Sequence, residues 1–305
     1  MSTRHFIDAS DYTTAEIKGL IDEGIAMKAN PREYTSVLQG KALALLFEKP
    51  SLRTRVSFDV GIHQLGGFSI YLSPNDINLG KRESIPDVAR NLDRMVQGVM
   101  VRTFSHQVIL DMAEYSRVPI INGLTDFSHP CQAVADFMTM REYKGRVDGL
   151  KLAYVGDGNN LAHSLMHTGV RLGSEVRIVT PKGYEPDTSV VEWAQRESPA
   201  TGAKVWITND PAEGVKDADV VYTDVWASMG QESEAEERRK IFIPFQVNSD
   251  LMAHAADDAI FMHCLPAHRG EEVTDEVIDS RQSVVFDQAE NRLHSQKAVM
   301  ALLMK

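Results

Sequence analysis

Between residues 51 and 55 the chain reads Ser-Leu-Arg-Thr-Arg, which places two hydroxyls and two guanidinium groups within five positions. An apolar run, 42–47, precedes it and reads as a buried strand. Val56, Phe58, Ile62 and Leu65 follow with spacing that suits a helix. Ser51 would therefore start that helix, where unpaired backbone N–H groups add to the hydroxyls and guanidinium groups. Such an assembly grips a phosphate. A capped helix with solvated arginines is the plainer reading of a lone Ser-x-Arg-Thr-Arg. The residues after the other predicted strands argue against it. They are Arg102-Thr103, His129-Pro130-Cys131-Gln132, Gly156-Asp157-Gly158-Asn159-Asn160, Asp224 through Gly230, Cys264-Leu265-Pro266 and Glu290-Asn291-Arg292. Anion-binding, polar and reactive side chains recur at these strand ends.

The elements that must position these residues alternate along the chain. In the first half the patterning predicts strands at 42–47, 67–72, 98–101 and 119–122, with helices at 53–65, 84–95, 105–117 and 130–143. Ser84 and Pro86 mark one helix start, and Thr13 with Glu16 forms a capping-box pattern before another. In the second half strands are expected at 151–155, 175–180, 203–208, 219–223, 259–263 and 283–286. Helices are expected at 161–172, 187–198, 210–217, 235–241, 274–281 and 288–304. This alternation means α/β architecture: two doubly wound parallel-sheet domains, whose strand ends would face a shared cleft. The polar stretch 142–149 is the expected junction. The division is therefore residues 1–143, residues 150–286, and a helix over 287–305 returning to the first domain.

Composition narrows the functional class. With 32 basic and 43 acidic residues the net charge is −11, which disfavours a nucleic-acid or anionic-membrane surface. An acidic protein that binds an anion must build its positive field locally. Two cysteines, Cys131 and Cys264, make neither a disulfide framework nor a metal-site spacing. No apolar run approaches the roughly 20 residues needed to cross a bilayer, and the first residues lack a signal-peptide core. A cytoplasmic setting is expected.

Taken together, Ser51-x-Arg53-Thr54-Arg55, His129-Pro130-x-Gln132, Gly156-Asp157-x-Asn159-Asn160, Asp224 with Ser228-Met229-Gly230, and His263-Cys264-Leu265-Pro266 resemble the aspartate/ornithine carbamoyltransferase family in order and spacing. The first two elements are shared across that family and mark carbamoyl phosphate. The Ser-Met-Gly and His-Cys-Leu-Pro elements point to its ornithine branch. The resemblance implies a carbamoyl phosphate domain followed by an ornithine domain, and a homotrimer or multiple of trimers. The reaction it implies is carbamoyl phosphate plus L-ornithine giving L-citrulline and phosphate, without metal or organic cofactor.

The family pattern puts Ser51, the Leu52 backbone, Arg53, Thr54 and Arg102 around the phosphate. Arg102, His129 and Thr54 would point at the carbonyl oxygen, where negative charge develops during attack. Gln132 and the backbone carbonyls near Cys264 and Leu265 would receive the amide N–H groups, with Arg292 beside the same carbon. For ornithine, Asp224 suits the α-ammonium, while Asn160 and the chain at Ser228-Met229 would hold the remaining polar groups. Glycine at 230 fits a loop that closes over substrate. The attacking amine has a lysine-like pKa of about 10.4, so only on the order of one molecule in a thousand is neutral at pH 7. Cys264 is a candidate partner, as a thiolate or as part of the δ-amine pocket.

Two positions depart from the commonest family form. Leu52 stands where threonine is usual, which keeps the backbone N–H and loses a hydroxyl. Asn78 stands where many relatives carry glutamine, on a loop expected to reach a neighbouring subunit's site. Relatives acting on N-acylated ornithine can also carry Ser-Leu-Arg-Thr, yet an acylated amine would leave Asp224 without a cation. Gly156-x-Gly158 could also suggest a nicotinamide dehydrogenase, but this chain has neither the third glycine at the usual place nor the ribose-binding acid, which rejects that reading. A non-catalytic relative would not need Arg53, Arg102, His129, Gln132, Cys264 and Arg292 together.

Overall fold

The run Ala42–Phe47 has no polar side chain and forms a strand, β1, buried along its whole length. A strand apolar on both faces needs cover on both, which is the condition of a parallel sheet. In the computed structural model, which describes residues 3–77, 79–80, 82–227 and 232–305, β1 pairs in parallel with β2 (Phe68–Leu72) and β3 (Gly98–Arg102). The last strand of this sheet, β4 (Ile120–Leu124), pairs with β3, so the order is β2-β1-β3-β4. Helices α1 (Thr14–Ala29), α2 (Leu52–Gln64), α3 (Pro74–Ile77), α4 (Ile85–Leu92), α5 (His106–Tyr115) and α6 (Pro130–Lys144) accompany it. Alternate residues Ala42, Ala44 and Leu46 pack with Val99, Val101 and Ile120 against Val88, Ala89, Ile109 and Met112 of α4 and α5. The intervening Leu43, Leu45, Met100 and Ile121 are equally buried, so the opposite face is covered too. The expected caps form: Thr13 and Glu16 make a reciprocal capping box on α1, and Ser84 caps α4.

The second sheet contains β5 (Lys151–Val155), β6 (Glu175–Val179), β7 (Lys204–Thr208), β8 (Val220–Thr223) and β9 (Ile260–His263). Its strands are all parallel, in the order β7-β6-β5-β8-β9. Its helices are α7 (Asn160–Leu172), α8 (Thr188–Thr201), α9 (Pro211–Val215), α10 (Ala235–Phe242), α11 (Ser249–Met252) and α12 (Asp275–Ile278); the last helix of the chain is α13 (Val285–Met304). Ala153, Val155, Val221 and Phe261 form one core with Val215, Phe245, Leu251, Met252, Val277 and Ile278.

The chain divides into two compact units, residues 1–138 with 290–305, and residues 139–289. Both α6 and α13 run across that division. Within the first unit, the end of α13 is held by a hydrogen bond from Lys41 Nζ to the Met304 carbonyl and another from Lys297 Nζ to Gln64 Oε1, 3.0 Å. Gly98 admits Met304, because a Cβ at 98 would lie 2.9 Å from its sulfur.

The strand expected at 283–286 does not form. Backbone bonds from Phe261 N to Gln282 O (2.8 Å) and from Val284 N to Phe261 O (3.0 Å) leave an isolated bridge, and Val285 opens α13. Short apolar runs such as Val284-Val285-Phe286 are compatible with either period. Arg292 therefore projects from the interior of a helix and does not follow a strand end. No helix among the described residues is long and apolar enough to cross a membrane.

In each sheet the chain leaves its first strand in one direction and later returns to that strand's other side. The reversal falls between β1 and β3 in one sheet and between β5 and β8 in the other. Open parallel sheets bind ligands outside the carboxyl ends of strands at such reversals.

Candidate active-site residues

At the first reversal, the residues after β1 and β3 form one polar cluster. Ser51, with extended backbone, caps α2 by accepting the Thr54 N–H at 3.2 Å. Thr54 is fully buried one turn further on. Its hydroxyl oxygen accepts from Arg102 Nη1 at 3.4 Å and from Arg292 Nη2 at 3.0 Å. Arg292 Nη1 also donates to Gln132 Oε1 at 2.5 Å, and Gln132 Nε2 donates to Asp136 Oδ1 at 2.8 Å. Both guanidinium groups are almost wholly buried. Their charge is thus held in a medium that screens it poorly.

His129 lies in the same field. Burial, followed by the positive charges of Arg292, Arg102 and Arg53, holds its imidazole well below the usual histidine range. A neutral ring at position 129 can donate one hydrogen bond without adding a proton to the site. Leu52 is 74% exposed, so it offers a nearby ligand only its backbone N–H. Among the expected residues the structure thus brings Ser51, Thr54, Arg102, His129, Gln132 and Arg292 together, with the Arg53 charge acting on His129.

The strand ends are fastened to each other. Glu48 N donates to the Arg102 carbonyl at 2.8 Å, and the Thr103 hydroxyl donates to the Glu48 carboxylate. Lys49 sits over the Phe104 ring, 4.3 Å from its centroid, and pairs with Asp126 at 2.5 Å. That pairing accounts for a buried cation beside Ser51 that sequence reasoning left out of the phosphate set. Asp136 was missed as well; its signal is the helical i, i+4 spacing from Gln132.

At the second reversal, Asp224 immediately follows β8 and is buried. Cys264 Sγ donates to its Oδ1 at 3.1 Å, and Asn159 Nδ2 donates to its Oδ2 at 3.3 Å. Asn159 Oδ1 meanwhile caps α7 by accepting from Leu161 N and Ala162 N. Asn160, the expected ornithine contact, is the first residue of that helix. Cys264 is therefore a protonated donor to a carboxylate in this structure. His263 organises the next two residues: its Nδ1 accepts the Leu265 N–H at 2.8 Å, which leaves its Nε2 proton for Glu272 Oε1 at 3.1 Å. The Leu265–Pro266 peptide is cis. Cys131, by contrast, donates to the Asn122 carbonyl, and burial pushes its thiol up to about 12. The expected residues Asn78, Ser228 and Met229 lie outside the described residues, as does Gly230.

Gly158 has a packing role. A Cβ there would lie 2.3 Å from Pro186 N and 2.5 Å from Tyr184 O, so the turn after β5 fits against that segment only without a side chain. The same region holds a residue that sequence reasoning missed. Arg238, on α10, donates from Nη1 to Asp157 Oδ2 at 2.8 Å and to the Trp226 carbonyl at 2.9 Å, and lies over the Tyr184 ring. Three strand-end segments are fixed by one guanidinium. No motif in the sequence announces a tie between positions 81 residues apart.

Models of the aspartate/ornithine carbamoyltransferase family match the chain twice. The carbamoyl-P binding domain matches residues 4–142, and the Asp/Orn binding domain matches residues 148–303. The chain belongs to the aspartate/ornithine carbamoyltransferase family. It is 58% identical to an ornithine carbamoyltransferase of Thermococcus kodakarensis, over 100% of this chain and 97% of the relative. It is 55% identical to the anabolic ornithine carbamoyltransferase of Pyrococcus furiosus, again over 100% of this chain and 97% of the relative. The solved structure of ornithine carbamoyltransferase from P. furiosus aligns with a TM-score of 0.96, over 99% of this chain and 97% of that one. An acetylornithine transcarbamylase complexed with acetylcitrulline aligns with a TM-score of 0.89 at 32% identity, over 99% of each chain.

Burial raises the Asp157 carboxyl above its ordinary 3.8, the Arg238 charge opposes that rise, and Asp224 adds to it. The folded state therefore holds the Asp157 proton more tightly than the unfolded chain does, so this group weakens stability as pH rises through and above 3.8. Removing Arg238 enlarges that effect. Arg238→Met should lose more stability relative to wild type at pH 7 than near pH 4, read from urea midpoints. An equal loss at both pH values would show that the Asp157–Arg238 pair does not set it.

Proposed function

We propose that this chain transfers the carbamoyl group of carbamoyl phosphate to the δ-amine of L-ornithine, giving L-citrulline and phosphate. The observation that carries the donor half is the meeting of two buried guanidinium groups on the Thr54 hydroxyl, beside the Ser51-capped start of α2. That cluster suits a small dianion. Relatives 55–58% identical over the full chain, all named ornithine carbamoyltransferase, support the acceptor.

In this reading Ser51, the Leu52 and Arg53 backbone N–H groups, Arg53 and Arg102 hold the phosphate. The δ-amine nitrogen attacks the carbamoyl carbon, and the carbonyl π electrons move to oxygen. When the carbonyl re-forms, the bond from carbon to the bridging oxygen breaks and its electron pair leaves with phosphate, whose oxygen takes up the proton lost by the attacking nitrogen. Arg102, Thr54 and the neutral His129 are the donors suited to the oxyanion, and preorganised charge of this kind is the usual main source of acceleration. Asp224 meets the α-ammonium of ornithine. Its partners among the described residues, Cys264 and Asn159, are neutral donors, so the carboxylate keeps its charge for that cation. A thiol already donating to a carboxylate is poorly placed to take a proton. We therefore assign Cys264 to lining the amine's surroundings.

The resemblance to acetylornithine transcarbamylase gives a second reading, in which an N-acylated ornithine is the acceptor. Asp224 favours the free amino acid, since an acylated nitrogen carries no charge to match it. Citrulline formation assayed in parallel with ornithine, N-acetylornithine, putrescine and aspartate tests the choice. Better use of N-acetylornithine would replace the first reading with the second.

The homotrimer implied by the resemblance has support in the surface. Leu52, Val56 and Val60 form an exposed apolar stripe on α2, and Phe68 and Ile70 are exposed on the edge strand β2. Apolar surface of that extent marks an assembly face. Sedimentation equilibrium should return a trimer or a multiple, and Val56→Glu should shift it toward monomer; a wild-type monomer at all concentrations would end this part of the proposal. A cytosolic setting accords with two cysteines that form no disulfide.

Arg102→Ala should lower kcat by about 100-fold or more and raise the KM for carbamoyl phosphate. Near-normal kinetics would remove Arg102 from the site. Asp224→Ala should act chiefly on ornithine. A hydrogen bond to a charged group is worth roughly 1.5–3 kcal/mol, or about a 10- to 150-fold rise in KM. An unchanged ornithine KM would refute the assignment.

A further inference from the structure

Behind the phosphate-facing residues of the first unit lies a buried polar layer to which three helices each contribute a pair one turn apart. These pairs are Thr54 with Ser57 on α2, Gln132 with Asp136 on α6, and Arg292 with Gln296 on α13. All six residues are buried. Arg292 is the hub, and Gln296 is the member that no motif explains. With its amide oxygen facing Arg292 and its nitrogen facing Ser57, Gln296 accepts from Arg292 Nε at 3.0 Å and Nη2 at 3.1 Å, and donates to Ser57 Oγ at 2.6 Å. That orientation satisfies both ends of the amide, whereas the reverse would set donor against donor and acceptor against acceptor. Ser57 passes the restraint on by donating from Oγ to the Arg53 carbonyl at 2.7 Å. The guanidinium is therefore held along two edges, by Gln296 on one and by Gln132 with Thr54 on the other.

We propose that Gln296 is a positioning residue for carbamoyl transfer: it fixes the plane of the Arg292 guanidinium while leaving that group's positive charge undiminished. The choice of amide over carboxylate is the core of the inference. A glutamate at 296 would accept the same two N–H bonds, and more strongly, yet its negative charge would be spent on the cation that the donor substrate needs. A methionine would fill similar space and accept almost nothing. The link to the Arg53 carbonyl further means that the plane of Arg292 and the first turn of α2 are set together.

This inference rests on the proposed carbamoyl transfer, and the test separates the two. Wild type, Gln296→Met and Gln296→Glu are assayed for citrulline formation with each substrate varied in turn, and far-UV circular dichroism and thermal melts establish folding. Gln296→Met should raise the KM for carbamoyl phosphate about 10-fold, the size of one lost charge-assisted contact. Gln296→Glu should lower kcat/KM for carbamoyl phosphate further, by about 100-fold, although its geometry is the closer match to glutamine. In both variants the KM for ornithine should stay within about twofold. Carbamoyl phosphate constants unchanged in the folded variants would overturn the inference, and so would equal losses toward both substrates. If Gln296→Met fails to fold, Ser57→Ala supplies a second comparison: it removes the hydroxyl that anchors the Gln296 amide together with its bond to the Arg53 carbonyl, and an unchanged KM for carbamoyl phosphate in it would equally overturn the inference. A wild-type protein without any carbamoyl transfer would instead overturn the function on which the inference stands.

Discussion

Two positive charges buried side by side in a protein of net charge −11 are the constraint around which the first unit is arranged. Each guanidinium loses its water on burial and must regain hydrogen bonds from the protein. Neutral oxygens do much of this: the Thr54 hydroxyl serves both arginines, and amides of Gln132 and Gln296 serve Arg292. Neutral acceptors orient a cation without cancelling it. The arrangement is therefore stable enough to fold and still electropositive enough to hold a dianion. Burial, reinforced by the same field, holds His129 neutral among three arginines.

The second unit solves the converse problem with the converse chemistry. Asp224 is a buried anion whose partners among the described residues, a thiol and an amide, donate without adding charge. Arg238 is spent instead on Asp157, the neighbouring carboxylate. A charge kept for a ligand and a charge tied up in the scaffold lie close together, and geometry alone separates them. Ser51 and Arg102 in one sheet, and Asp157 and Asp224 in the other, sit where the strand order reverses, so the fold places this part of its chemistry by topology before any side chain is chosen.

Much of this was legible in the sequence because local signals agreed. Among the described residues nine strands fall within about two residues of their expected places, since each was a short apolar run bounded by polar or turn residues. The capping pair Thr13 and Glu16 and the helix start at Ser84 were likewise local patterns. The failure at 283–286 came from a run too short to reveal its period. The side chains that read poorly are those defined by partners far away in sequence. Gln296 looks like an ordinary helical residue until Ser57 and Arg292 are seen beside it, and Arg238 looks like one of several charges on α10 until Asp157 and Trp226 appear. Lys49, a cation next to Ser51 that the sequence reading leaves out of the phosphate set, has its charge paired with Asp126.

The return of α13 to the first unit has a temporal consequence. Residues 290–305 belong to the same compact body as residues 1–138, although the ribosome makes them after all of 139–289. The amino-terminal body cannot acquire Arg292, or close over Gly98, until those final turns emerge. Domains commonly mature in the order of their synthesis; here the half begun first is completed last, so its nascent form waits with an open flank while the other half is being made.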